Sequence, residues 1–340
     1  MIFPKWIKNG DTIGVTACSG GKTAPVDWIR LDSAAGQFQT RGYRVLETPD
    51  VRTEEKGRSA AAKVRAKELH SLVTNPEVSW IVQACGGDYL AEMLSYLDLD
   101  LIRKYPKWYQ GYSDPTGLLF TVTTNCDIAT VYGGNYADFG MKTWHTSLEE
   151  NIEILEGKRF TQNSYPLYKD GFAERITGYE SFQEDTPVVW KCKKEKEALS
   201  GRLLGGCLDV LLELVGTRFD TVKDFCDKYK EDGIVWYLES FALSSERLTC
   251  GLWQLKEAGW FRHAKGFVFG RPTFYSSDYE IPYEEAVESV LGELHVPIVY
   301  EADVGHKAPR LTMVNGAYAR ITVEEGKGTL RYGKSSCQFE

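Results

Sequence analysis

Short apolar runs recur along the first half of the chain, and segments with helical spacing separate them. The runs lie at residues 12–18, 43–51, 78–85, 108–113 and 128–132. They are short and rich in Val, Ile, Tyr or Trp, as buried parallel strands are. Between and after them, residues 59–73, 89–105 and 147–157 favour helices. This alternation predicts βαβ units, and therefore an α/β fold with a parallel sheet between two helical layers.

The second half of the chain shows a different pattern. Residues 158–200 are polar and weakly periodic, and a connection of that length is atypical inside a compact domain. Beyond it, the pattern predicts helices at 203–215 and 244–258, strands at 234–238, 266–270 and 298–302, and a hairpin that turns at 325–328. We therefore predict an N-terminal domain at 1–157, an interdomain crossover at 158–200, and a smaller mixed α+β C-terminal domain at 201–340.

Composition and charge narrow the range of functions. The chain has 340 residues, of which 43% are hydrophobic and 26% are charged, and its net charge is −8. An acidic chain is a poor partner for nucleic acid or for an anionic membrane surface. There is no signal-peptide pattern and no apolar stretch of roughly 20 residues, so we expect a cytoplasmic protein without nucleic-acid or membrane partners.

Eight cysteines are scattered along the chain without a C-x-x-C pair. Zinc sites and redox motifs need that local spacing. We therefore expect reduced thiols, most of them buried, that hold no metal. They are Cys18, Cys85, Cys126, Cys192, Cys207, Cys226, Cys250 and Cys337.

The sequence Gly111-Tyr112-Ser113-Asp114-Pro115-Thr116 falls where a strand is predicted to end and a helix to begin. A serine at such a turn projects its hydroxyl outward, as in a nucleophile elbow. The N–H of Asp114, at the helix N-terminus, would be placed to donate to an oxyanion, and Pro115 suits the first turn. A Gly-x-Ser at a turn is more often a helix cap than a nucleophile, so this motif alone leaves both functions open.

Gly86 and Gly87 follow another predicted strand. Two adjacent glycines let the backbone approach a ligand closely, and the N–H of either one would serve as a second oxyanion donor. The alternative is a plain tight turn. A phosphate loop is disfavoured, because neither G-x-x-x-x-G-K-[ST] nor a full G-x-G-x-x-G is present.

A nucleophilic serine needs a base, and the base needs a group that orients it. Of the five histidines, His306 lies in a loop directly after a predicted strand, where catalytic side chains concentrate. Glu239 ends the apolar run at 234–238, and a carboxylate directly after a buried strand needs a partner. An imidazole would serve as that partner. The alternatives are an ion pair with Arg247 or a cap on the next helix.

Together these segments resemble the LD-carboxypeptidase family of serine peptidases, including its microcin C immunity branch. The resemblance covers nearly the whole chain and rests on segments in the family's order: 10–15, Gly86-Gly87, 111–116, Leu203-Leu204-Gly205-Gly206, Glu239 and Gly305-His306. It implies these roles: nucleophile Ser113, orienting residue Glu239, base His306, and oxyanion donors Asp114 and Gly86 or Gly87. It also implies an N-terminal αβα domain similar to class I glutamine amidotransferases, a C-terminal domain that supplies the Glu and the His, a site at the domain interface, a homodimer, and no metal or cofactor.

The resemblance also implies a substrate. LD-carboxypeptidases cleave, through an acyl-enzyme, the amide bond between an L-centre diamino acid and the terminal D-Ala of cytoplasmic muropeptide tetrapeptides. This chain departs from the family's pattern at the oxyanion turn, which reads Ala84-Cys85-Gly86-Gly87-Asp88-Tyr89 in place of Arg-Gly-Gly-Tyr-Gly. It departs again at Cys207, where the family usually has Asn. Cys207 is therefore a candidate substrate-binding residue, and the sequence leaves the reactivity of Cys85 open.

The segment Tyr105-Pro106-Lys107 before the elbow strand is closer to the microcin-immunity branch. That branch hydrolyses peptidyl or aminoacyl nucleotide antibiotics and stacks an aromatic residue on the base. Trp190 is the candidate for this stacking; the alternative is a hydrophobic anchor for the crossover. Three hypotheses result: a muropeptide carboxypeptidase, an immunity-type hydrolase of a peptidyl nucleotide, and a non-catalytic ligand-binding protein on the same fold, which an intact triad disfavours.

Overall fold

The computed structural model describes residues 1–333 and divides into two compact units. The first comprises residues 1–159, 172–183 and 312–315, and the second comprises residues 160–171, 184–311 and 316 onward. The segment 158–200, predicted to be a crossover, contains four short strands and the start of a fifth, and its residues are divided between the two units. Within the described range, no helix is long and apolar enough to cross a bilayer.

The elements of the described residues follow in chain order. The strands are β1 (Thr12–Thr16), β2 (Arg44–Glu47), β3 (Val78–Gln83), β4 (Trp108–Gly111), β5 (Thr130–Tyr132), β6 (Thr161–Asn163), β7 (Leu167–Tyr168), β8 (Thr186–Pro187), β9 (Lys191–Cys192), β10 (Lys196–Cys207), β11 (Ile234–Glu239), β12 (Ala264–Gly270), β13 (Ile298–Ala302), β14 (Met313–Asn315), β15 (Tyr318–Glu324) and β16 (Lys327–Tyr332). The α-helices are α1 (Pro25–Thr40), α2 (Ala62–Thr74), α3 (Ala91–Leu94), α4 (Leu99–Lys104), α5 (Thr116–Cys126), α6 (Thr146–Leu155), α7 (Leu208–Leu214), α8 (Val222–Lys228), α9 (Ser245–Glu257) and α10 (Tyr283–Leu291). Short 3₁₀ turns lie at Pro49–Arg52, Tyr136–Gly140 and Gly292–Leu294.

The first unit is built on a six-stranded sheet in the order β14-β5-β4-β3-β1-β2. Strands β1 to β5 run parallel, and β14 pairs antiparallel with β5. The parallel strands fall within the five apolar runs. Strands β1 and β4 are buried along their length, as strands with helices on both faces are, whereas the edge strand β2 is partly exposed. The prediction of an α/β fold with a parallel sheet is therefore confirmed.

The prediction of one helix at 89–105 is wrong, because two short helices, α3 and α4, occupy this segment. Asp98 separates them. Its carboxylate accepts a hydrogen bond from the N–H of Leu101 at 2.9 Å, and its backbone is extended, with φ −91° and ψ 93°. An N-cap residue has non-helical dihedral angles, so a continuous helix cannot pass through it.

The second unit is built on an eight-stranded sheet in the order β6-β16-β15-β10-β11-β12-β13-β9. Strands β10 to β13 run parallel, while β6, β9, β15 and β16 pair antiparallel with their neighbours. Helices connect the parallel strands along the chain. The carboxyl ends of parallel strands meet at one edge of a sheet, and this edge carries Cys207, Glu239 and the loop that leads to His306.

The prediction of a helix at 203–215 is wrong in its first five residues, which belong to β10, while α7 begins at Leu208. Residues 202–207 pair in parallel register with β11. Gly205 permits this pairing, because a Cβ atom there would lie 1.7 Å from the carbonyl oxygen of Tyr237. An apolar run that contains two glycines therefore becomes a buried strand here, not the start of a helix.

Two local predictions in the second unit are confirmed. Helix α9 begins after Ser244, whose hydroxyl accepts a hydrogen bond from the N–H of Arg247 at 3.3 Å. Strands β15 and β16 form the predicted hairpin. Its loop residues Glu325 and Gly326 both have positive φ, 50° and 75°, as a two-residue type I′ turn requires.

Candidate active site

Ser113 stands at a sharp turn between the end of β4 and the start of α5, and its backbone is strained. Its φ is +71°, a region that a residue with a side chain occupies at a cost of about 1–3 kcal/mol. Both the N–H and the hydroxyl of Thr116 donate to the carbonyl oxygen of Ser113, at 2.9 and 2.6 Å. The side chain of Ser113 is only partly buried. This is the backbone geometry of a nucleophile elbow.

The surrounding side chains hold this elbow in place. The side-chain oxygen of Asn135 accepts from the N–H of Tyr112 at 3.2 Å, and the hydroxyl of Tyr132 accepts from the N–H of Ser113 at 3.3 Å. Gly111 is required at its position, since a Cβ atom there would lie 2.8 Å from its nearest neighbour. Neither Asn135 nor Tyr132 was predictable in this role, because both are distant from the elbow along the chain.

The turn at Gly86 and Gly87 lies directly against the serine. A Cβ atom on Gly86 would be 3.0 Å from Oγ of Ser113 and 3.8 Å from the backbone nitrogen of Asp114. The N–H of Gly20 donates to the carbonyl oxygen of Gly86 at 3.3 Å. The first unit thus brings together the serine, the residue that follows it and the glycine turn.

The side chain of Asp114 is buried, and its backbone lies between Ser113 and the start of α5. Its carboxylate accepts hydrogen bonds from the hydroxyl of Ser19 and, at 2.9 Å, from the N–H of Leu90. Burial raises the pKa of Asp114, and these two hydrogen bonds lower it in part. Sequence reasoning assigned a function to the backbone N–H of Asp114 and missed the function of its side chain.

Glu239 and His306 form a buried pair in the second unit. Glu239 is the last residue of β11 and is inaccessible to solvent, and its Oε2 lies 3.0 Å from Nδ1 of His306. A carboxylate at Nδ1 fixes the tautomer with the proton on that nitrogen, so that Nε2 is the basic atom. The structure therefore joins Glu239 to the imidazole, the first of the partners considered for it, and not to Arg247.

Two glycines allow this pair to be enclosed by backbone. Gly305 has φ +103°, and a Cβ atom there would lie 2.8 Å from the side chain of Glu239. At Gly270, a Cβ atom would lie 2.1 Å from the carbonyl oxygen of Val304. On the imidazole side, the ring of Phe241 lies 4.6 Å from the ring of His306, centroid to centroid. Gly270 and Phe241 were not identified from the sequence.

Trp190 is part of the interior of the second unit. It is 2% exposed, its indole N–H donates to Asp303 at 3.0 Å, and a Cβ atom on Gly328 would lie 2.3 Å from its ring. Asp303 also accepts from Arg271 at 2.7 Å. A ring enclosed in this way presents no open face to a nucleobase, so these contacts favour the structural interpretation of Trp190 over substrate stacking.

Cys207 and Cys85 lie beside Glu239 and Gly86 in the chain or the sheet, and burial raises the pKa of both thiols. Cys207 pairs in register with Glu239, is buried, and directs its sulfur to a carboxylate oxygen of Asp209 at 3.7 Å; burial holds its pKa well above the ordinary value. Burial raises the pKa of Cys85 to about 11, so the reactive thiolate is scarce at neutral pH. Cys337 lies outside the described residues.

A strained serine at the end of a parallel strand and a buried carboxylate–imidazole pair are the parts of a serine hydrolase on an α/β fold. The chain matches the model of the LD-carboxypeptidase N-terminal domain over residues 13–133 and that of the LD-carboxypeptidase C-terminal domain over residues 200–321. These matches cover more than half of the chain. The chain therefore belongs to the LD-carboxypeptidase family, and it is a hydrolase of the serine peptidase type.

Relatives and solved structures agree with this membership. The chain is 25% identical to the probable murein peptide carboxypeptidase of Bacillus subtilis, over 98% of this chain and 95% of that one. It is 26% identical to the microcin C7 self-immunity protein MccF of Escherichia coli, over 92% and 90%. The structure of MccF in complex with aspartyl sulfamoyl adenosine superposes with a TM-score of 0.82 at 22% identity, covering 98% of this chain and 99% of that chain, which shows a shared fold.

Proposed function

We propose that this chain is a serine carboxypeptidase that cleaves the amide bond between an L-centre diamino acid and the terminal D-Ala of muropeptide tetrapeptides. The observation that carries the proposal is the strained backbone of Ser113. Its φ is +71°, at a turn that would present the hydroxyl to the substrate. Strain of this kind persists where function requires it. Family membership and the buried Glu239–His306 pair support the same chemistry.

In the proposed reaction, Nε2 of His306 takes the proton of the Ser113 hydroxyl as Oγ attacks the amide carbonyl carbon. The N–H groups of Asp114 and of Gly86 or Gly87 donate to the oxygen of the tetrahedral intermediate. The C–N bond then breaks, His306 returns the proton to the amine of D-Ala, and an acyl-enzyme remains. Water hydrolyses the ester by the same proton transfers. Glu239 stabilises the imidazolium in both halves of the reaction.

The test is a mass-spectrometric hydrolysis assay of the wild type and Ser113→Ala in parallel. One substrate is a muropeptide tetrapeptide that ends in D-Ala, and the other is an aminoacyl-sulfamoyl adenosine. We expect loss of D-Ala from the tetrapeptide by the wild type and no turnover by Ser113→Ala. Equal activity of the two proteins would contradict the role of Ser113.

The second candidate is an immunity-type hydrolase of peptidyl or aminoacyl nucleotides. The observation that favours it is the similarity to MccF over nearly the full length of both chains. The burial of Trp190 weighs against the stacking role considered for that residue. Ser113-dependent cleavage of the adenosine conjugate alone would establish this function, whereas binding of either compound without cleavage would favour a non-catalytic ligand-binding protein.

We also propose that the protein acts in the cytoplasm as a homodimer, as the family resemblance implies. Sedimentation equilibrium over a hundredfold range of protein concentration tests the assembly. A single species at twice the chain mass is the expected result. A single species at the mass of one chain would contradict the dimer.

A further inference from the structure

A buried hydrogen bond joins the loop after β1 to the residue that follows the serine. Ser19 is inaccessible to solvent and its hydroxyl donates to Oδ2 of Asp114, which is also buried. The same oxygen of Asp114 accepts from the N–H of Leu90 at 2.9 Å. The hydroxyl oxygen of Ser19 in turn accepts from the N–H of Tyr89 at 3.5 Å. Two side chains therefore connect three segments of the first unit.

The Gly86–Gly87 turn also packs against Ser19. A Cβ atom on Gly87 would lie 2.3 Å from Oγ of Ser19 and 2.8 Å from the backbone nitrogen of Gly20. Gly20 also donates to the carbonyl oxygen of Gly86 at 3.3 Å. Tyr89 and Leu90 donate their N–H groups to this pair, and only Asp88 separates them from the turn. The position of the turn relative to the elbow thus depends on the contacts of Ser19.

We propose that Ser19 and the carboxylate of Asp114 are a positioning pair that sets the separation of the two oxyanion donors, the N–H of Asp114 and the N–H of the Gly86–Gly87 turn. This inference rests on the proposed function, because it assigns a role within that oxyanion hole. Donors of this kind act only when they lie within hydrogen-bonding distance of the developing charge. A displacement of about 1 Å is enough to reduce a rate by about 100-fold.

The hydroxyl of Ser19 also favours the ionised form of the Asp114 carboxylate. Burial and the charge of Asp88 raise its pKa, whereas hydrogen bonds from Ser19 and the Leu90 N–H, together with the charge of Arg65, lower it. Removal of the Ser19 hydroxyl takes away one of the interactions that favour the ionised form. The pKa of Asp114 then rises.

The experiment measures the reaction of Ser113 with a fluorophosphonate, which forms an O–P bond to Oγ and releases fluoride, by intact-protein mass spectrometry. Ser19→Ala is compared with wild type, with Asp114→Asn and with Ser147→Ala. Ser147 is a matched control, because it is buried in the same unit and its hydroxyl contacts His145 instead of the elbow. We expect Ser19→Ala to slow labelling by roughly 10-fold or more. For the substrate that the wild type cleaves, kcat should fall by the same factor, with KM within about twofold of wild type.

The remaining readouts separate positioning from a general loss of structure. Ser147→Ala is expected to label at the wild-type rate. Asp114→Asn, which keeps an acceptor oxygen for Leu90, is expected to react slowly, including at temperatures well below its melting temperature. A wild-type labelling rate and a wild-type kcat in Ser19→Ala would overturn the positioning role, as would a loss of activity that lies in KM instead of kcat. If the wild type itself is not labelled at Ser113, the proposed function fails along with the inference.

Discussion

The carboxylate of Glu239 is shielded from solvent and lies 3.0 Å from Nδ1 of His306. A neutral amide at this position has the same shape but does not stabilise an imidazolium, so Glu239→Gln should lower kcat by about 10²- to 10⁴-fold. The measurement is kcat for the substrate that the wild type cleaves, with circular dichroism to verify the fold. Glu257→Gln, at an exposed side chain, is the control and should match wild type. A wild-type kcat in Glu239→Gln would remove the orienting role.

The contact between Gly86 and the serine leads to a second prediction at the scale of a residue. A Cβ atom on Gly86 would lie 3.0 Å from Oγ of Ser113, so Gly86→Ala crowds the nucleophile, and we expect kcat/KM to fall at least about 100-fold. Gly36→Ala is the matched control, since a Cβ atom there meets nothing within 4 Å. In helix α1 it should raise stability by about 0.5–1 kcal/mol without changing activity. Similar kinetics of the two variants would contradict the close approach.

The residues that the sequence pointed to are those at the ends of predicted strands. Ser113, Glu239 and Gly86 each follow or end an apolar run, and this is a local pattern that a reader of the sequence can find. The contacts of Ser19 and Asn135 were not predictable in this way. Each reaches the elbow from a different strand end, more than twenty positions away along the chain, and hydroxyl or amide side chains in loops are too common to indicate a partner.

At the scale of the element, Asp98 decides where α4 begins. Its carboxylate accepts from the N–H of Leu101 at 2.9 Å, and loss of an N-cap costs about 1 kcal/mol. Asp98→Ala should therefore lower the free energy of unfolding by about that amount in urea denaturation. Asp100→Ala, which removes an exposed carboxylate from the same helix, should change it by less than about 0.5 kcal/mol. Equal losses in both variants would show that charge, not capping, is responsible.

The elements that were mispredicted share a cause. Residues 89–105 have helical spacing across a cap, and residues 203–207 have an apolar pattern that suits either a buried strand or a buried helix. What decides between them lies elsewhere in the chain. For 203–207 it is the parallel pairing with β11, for which Gly205 leaves room at the carbonyl oxygen of Tyr237.

At the scale of the whole molecule, the two units interleave along the chain. Strand β14, Met313–Asn315, belongs to the first sheet although it follows most of the second unit's residues along the chain. Residues 172–183 likewise belong to the first unit. Segments this short carry little periodicity, so the sequence predicted two consecutive domains. The pairing of β14 with β5 joins residues more than 180 positions apart, and a local pattern does not encode such a pairing.

The stability of the whole chain should depend on pH through Asp50, which is 2% exposed and accepts a hydrogen bond from the hydroxyl of Thr48. Burial and the neighbouring Glu68 raise the pKa of Asp50 to about 8, against about 3.9 in an unfolded chain. The folded state thus favours the protonated carboxyl, and this contribution to stability is complete below pH ~4 and lost as the pH rises through about 8.

An Asn side chain at position 50 resembles the protonated carboxyl at every pH. The free energy of unfolding of Asp50→Asn should therefore gain on wild type by up to about 1.4 kcal/mol per pH unit over that window. Urea denaturation from pH 5 to 8 measures this difference, with the exposed Asp100→Asn as control, and a difference that does not change with pH would contradict the protonation of Asp50 in the folded state.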